Sequence, residues 1–65
     1  MALVEFVMVT GRSEVIEWDD KTRQEAEAEV ESFLDKSNSF LSYEDGAGTT
    51  VYILRNRVHS ARVSG

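Results

Sequence analysis

Asp19-Asp20-Lys21-Thr22-Arg23-Gln24-Glu25-Ala26-Glu27-Ala28-Glu29-Val30-Glu31-Ser32-Phe33-Leu34-Asp35-Lys36 is the stretch that decides the fold. It is built from strong helix formers, and Ala26, Val30, Phe33 and Leu34 recur at i, i+4, i+7 and i+8, which places them on one helical stripe. Thr22 and Glu25 have the S/T-x-x-E spacing of a capping box, and Asp19 and Asp20 offer further oxygens to the first free amides. The helix therefore starts between 19 and 22. Ser37-Asn38-Ser39 is expected to end it. The outer face carries Glu25, Glu27, Glu29, Glu31 and Asp35. Glu25–Glu29 and Glu27–Glu31 repel at the i,i+4 spacing, at about 0.2–0.5 kcal/mol per pair, so that face is either solvated or paired with basic groups elsewhere.

N-terminal to the helix, residues 3–10 are apolar at both parities, with Val4, Phe6 and Met8 on one and Leu3, Val7 and Val9 on the other. This pattern predicts a strand covered on both faces. Thr10-Gly11-Arg12-Ser13 has turn chemistry, and Val15, Ile16 and Trp18 among Glu14 and Glu17 form a second strand, closing a hairpin. Beyond the helix, Phe40-Leu41-Ser42-Tyr43 reads as a third strand and Asp45-Gly46-Ala47-Gly48 as a turn requiring positive φ. Thr49 to Leu54 reads as a fourth strand, rich in β-branched and aromatic residues. Asn56 and Arg57 interrupt the apolar pattern, and Val58 to Val63 form a short last strand after a tight bend or bulge. The expected fold is α+β, in the order ββαββ(β), most simply one antiparallel sheet with a helix packed on one face.

Sixty-five residues form one small domain, 1–65, and their apolar fraction of 42% lies in the range of chains that fold rather than stay disordered. Without cysteine there is no disulfide framework and no thiolate metal site. A core this small, with a first strand apolar on both sides, is expected to bury its second face against another subunit, as a dimer or small ring. The opening residues carry Glu5 within their apolar run and no basic leader, and no segment reaches the length of a membrane span. These features predict a soluble, cytoplasmic chain without membrane contact.

The net charge of −5 weighs against a surface given over to nucleic acid, but the charge is polarised. Residues 1–48 are acidic throughout, whereas 49–65 hold Arg55, Arg57 and Arg62 and no acid. Those three arginines, with His59 beside them, are the one constellation that suggests a binding role. Guanidiniums at neighbouring positions can grip phosphate or carboxylate through bidentate bonds, with Tyr52 or Tyr43, or Phe40 and Trp18, offering stacking surfaces. Equally, they can neutralise the acidic helix of the same or a neighbouring subunit. The residues for catalysis are thin. His59 is the sole histidine and Ser60 points the other way on a strand, while the helix carboxylates face outward into water. Gly46-Ala47-Gly48 lacks the third glycine, the lysine and the helix of a phosphate loop, and reads as a hairpin turn. No catalytic residue, metal site or cofactor is expected.

The ending Val51-Tyr52-Ile53-Leu54-Arg55-Asn56-Arg57-Val58-His59-Ser60-Ala61-Arg62-Val63 resembles the last two strands of Sm-like RNA-binding proteins, in which an apolar strand, a short I-R-G-N-x-V type turn and a final strand follow one another. Ile53, Asn56 and Val58 match that spacing, while Leu54 and Arg55 stand where the family has arginine and glycine. The whole chain also resembles short proteins of actinobacteria and their phages, in which two strands, an acidic helix and a terminal V-x-I…V-x-x-x-x-V hairpin recur, here through Val51, Ile53, Val58 and Val63. That resemblance implies a small non-enzymatic accessory or host-interaction protein and transfers no site residues. The function expected is that of a non-enzymatic, self-associating protein that binds another protein. The alternative is a small anion-binding module for a nucleotide or RNA, using Arg55, Arg57, Arg62 and Tyr52.

Overall fold

A computed structural model describes residues 1–35 and 39–65, so Ser37 and Asn38 of the expected helix end Ser37-Asn38-Ser39 lie outside the described residues. The fold is α+β. Strands β1 (Ala2–Met8) and β2 (Ser13–Trp18) precede helix α1 (Arg23–Asp35). Strands β3 (Phe40–Glu44) and β4 (Thr50–Leu54) follow, and a 3₁₀ turn at Arg55–Arg57 leads into β5 (Val58–Ser64).

The strands form two antiparallel sheets rather than the single sheet expected from sequence. One has the order β2-β1-β5 and the other is the β3-β4 hairpin. The 3₁₀ turn makes the division. The Arg55 amide still belongs to the hairpin, donating to the Ser39 carbonyl at 2.9 Å, while the Arg57 carbonyl two residues later accepts from the Val9 amide at 2.8 Å beside β1. Three residues thus hand the chain from one sheet to the other, and β5 pairs with β1 instead of β4.

Helix α1 forms where its stripe demands. The Thr22 amide donates to Glu25 Oε1 at 2.9 Å and the Glu25 amide donates to Thr22 Oγ1 at 3.2 Å, so both halves of the capping box are closed. Ala26, Val30 and Phe33 are buried and Leu34 packs at the margin of the core. They meet the inner face of the three-stranded sheet, where Ala2, Val4 and Phe6 are fully enclosed and Phe33 stands edge-to-face on Phe6, ring centroids 5.7 Å apart. The hairpin contributes Ile53 to the same core, with Leu41, Tyr43 and Val51 packed against it.

The outward parity of β1 is half-buried by its own neighbours: Leu3, Glu5 and Val7 lie between β2 and β5. Along β5 the register passes from Val7↔Ser60 to Met8↔Val58, leaving His59 as the extra residue of a β-bulge. Strict alternation would set Val58 on the same face as Ser60. The bulge turns Val58 inward instead, where it is buried with Val4 and Phe6.

The Glu25 carboxyl is held below its ordinary value of 4.5, first by the Thr22 backbone hydrogen bond and then by the Thr22 side chain. A carboxyl depressed in the folded state stabilises the fold above its unfolded pKa, and that contribution is lost as the pH falls from about 4.5 through the lower folded value. Thr22→Ala is expected to cost about 1 kcal/mol, a typical loss for an N-cap. It is also expected to flatten the acid limb of a melting-temperature profile against pH. Calorimetry across that limb checks both effects.

Candidate protein-interaction surface

The arginines that are close in sequence are not gathered on one surface. Arg55 is half-buried and turns toward the helix, its Nε and Nη2 each donating to the Leu34 carbonyl at 3.3 Å. A guanidinium there satisfies a carbonyl of the last helical turn and complements the negative end of the helix dipole. Arg62 lies on the opposite side of the three-stranded sheet. It stands directly across from Glu5 in register, Nη1 at 3.9 Å from Oε1, an open and weak pair. Arg57 and His59 are exposed on the 3₁₀ turn and the bulge. Tyr52 faces outward from the other sheet, with Phe40 as its aromatic neighbour.

Arg55→Ala is expected to lower stability by about 1–2 kcal/mol, because a charge-assisted bond to a half-buried carbonyl is lost. In a domain of this size that is a fall of roughly 5–15 °C in Tm. Arg55→Lys, which keeps the charge but not the two-pronged donor, is expected to recover part of it. Differential scanning calorimetry of the two variants reads the difference, and an unchanged Tm in Arg55→Ala would contradict the capping role.

Among the described residues, three of the exposed large apolar side chains sit on the hairpin. The register pairs Phe40 with Leu54 and Ser42 with Tyr52, so these four share the face turned away from the core. Phe40, Tyr52 and Leu54 are 50%, 60% and 49% exposed. Phe40 and Tyr52, diagonal neighbours, stack edge-to-face with centroids 5.3 Å apart. The carboxylate on this face is Glu44, at the far end of β3 opposite Thr50. The contribution of Leu54 escaped the sequence reading, although its parity with Tyr52 marks it once the strand is known to be two-faced. On the outer face of the three-stranded sheet, by comparison, Val15 stands exposed beside Glu17 and the Glu5–Arg62 pair.

Among the described residues no group of three His, Asp or Glu side chains stands close enough to hold a metal ion. No described helix is long and apolar enough to cross a membrane. No family model, curated protein or solved structure matches this chain.

Proposed function

We propose that this chain is a non-enzymatic protein-binding module that self-associates, with the outer face of the β3–β4 hairpin as the contact between two copies. The observation that carries the reading is the set of Phe40, Tyr52 and Leu54, three large apolar side chains about half in water on one side of a two-stranded sheet. A hairpin of two strands is marginal alone, and covering its second face supplies the missing layer. A second copy is the favoured occupant. The chain carries −5 overall, yet the centre of this face holds no charge, so two copies meet here without burying like charges. Aromatic residues at the centre of a patch with a polar margin are also the usual energetic anchors of protein interfaces.

Anion binding through the arginines would require Arg55 to release the Leu34 carbonyl, and would leave Arg62 on the far side of the sheet. Sedimentation velocity over a range of concentrations tests the self-association. A species of twice the chain mass that grows with concentration supports it, and a single 7.3 kDa species at all concentrations refutes it.

A further inference from the structure

Strands β2 and β3 each have one hydrogen-bonded neighbour, β1 and β4 respectively. Among the described residues no backbone hydrogen bond joins β2 to β3. Their free edges border a common groove of about 440 Å³, with Val15, Ile16 and Glu17 on one side and Tyr43, Glu44 and Asp45 on the other. Tyr43 and Glu44 also line a second recess of about 340 Å³, together with Trp18, Lys21 and Glu29. The lining of the groove includes the buried Ile16 and the half-buried Tyr43.

We propose that this groove takes up an extended, basic segment of a partner protein, which adds as a strand to the free edge of β2 and sets Lys or Arg side chains against Glu17, Glu44 and Asp45. The inference rests on the protein-binding reading above and names the chemistry of the partner. An unpaired strand edge presents a row of amide and carbonyl groups, and an added strand satisfies them while its alternate side chains reach the walls. Charge selects the occupant. The walls carry Glu17, Glu44 and Asp45, with Asp20 and Glu29 in the recess. The cation there, Lys21, is occupied: its Nζ lies 3.5 Å from Glu29 and 5.5 Å from the centre of the Trp18 ring. The Tyr43 phenol feels the same field: burial raises its pKa above 10.0, and Glu14 and Asp45 push it the same way. A second copy is a poor occupant of so acidic a groove, because it brings a net −5.

The test is a titration of ¹⁵N-labelled protein with the hexapeptide Val-Lys-Val-Lys-Val-Lys, alongside Val-Glu-Val-Glu-Val-Glu and a basic peptide interrupted by proline. The basic peptide is expected to move the amide resonances of residues 15–17 and 43–46. Its affinity is expected to fall by roughly tenfold on going from low to physiological salt, and by a similar factor in the exposed variant Glu44→Lys. Three results would each overturn the proposal: unmoved groove resonances, equal binding of the acidic peptide, or equal binding of the proline-interrupted peptide. The last would reduce the effect to charge without strand addition. The outcome separates from that of self-association. A dimer whose groove ignores the peptide removes the groove inference alone, whereas a monomer that binds it removes the hairpin contact alone.

Discussion

Phe33→Ala is expected to remove a large part of the chain's stability and to lower its Tm steeply. Phe33 is the point where the helix meets the three-stranded sheet, buried and edge-to-face on Phe6. Truncating such a ring removes its transfer free energy and leaves a cavity, at a cost of about 3–5 kcal/mol. Set against this, a chain of 65 residues has a total stability of about 3–10 kcal/mol. The sequence has no cysteine to form a disulfide, and among the described residues no second α-helix holds the sheet in place once this contact is gone. Phe33→Leu, which keeps most of the volume, is expected to remain folded with a lowered Tm. Circular dichroism melts of the two variants distinguish the cases. A cooperative melt for Phe33→Ala near that of the parent would mean that the helix does not anchor the core.

The second large effect concerns association rather than folding. Tyr52→Arg is expected to produce a monomer that is still folded. The side chain is 60% exposed, so the fold loses mainly its contact with Phe40, about 0.5–1.5 kcal/mol. In a two-fold interface every substitution is present twice. If each Tyr52 contributes about 2 kcal/mol as an anchor, the dimer loses about 4 kcal/mol, close to a thousandfold in Kd. Val15→Arg, on the outer face of the other sheet, is expected to leave the association unchanged. Light scattering on size-exclusion fractions, with Tm measured on the same samples, reads both properties. A Val15→Arg monomer beside a Tyr52→Arg dimer would move the contact to the three-stranded sheet.

What could be read from the sequence is what local chemistry determines. The helix stripe of Ala26, Val30 and Phe33, the Thr22–Glu25 box and the turn at Asp45–Gly48 each depend on residues within one or two turns of chain. At that last turn the Asp45 carboxylate accepts the Ala47 and Thr49 amides at 2.9 and 3.1 Å, and Gly48 adopts φ +83°. The choice of partner strand was not legible in the same way. Alternation in β4 and β5 is compatible with a hairpin between them, and only the hand-over at Arg55–Arg57, completed by contacts to Ser39 and Val9, sends β5 to β1.

The candidate site shows the same divide. Arg55, Arg57 and Arg62 form a cluster when the chain is written as a line. Arg55, however, caps a carbonyl 21 residues earlier in the chain, and Arg62 answers Glu5 across a strand pair. Conversely, Phe40 and Leu54 are far apart in sequence and directly opposed in the hairpin. Their shared face becomes visible only once register is fixed.

The central claim is that two copies meet through the hairpin. The most direct measurement is an isotope-filtered nuclear Overhauser spectrum on a mixture of ¹³C-labelled and unlabelled protein, which reports only contacts between chains. Cross-peaks from the Phe40 and Tyr52 rings of one copy to the Leu54 methyls of the other are the expected result. Intermolecular cross-peaks confined to Leu3, Val7 and Val15, or none at concentrations where the rings are fully observed, would contradict it.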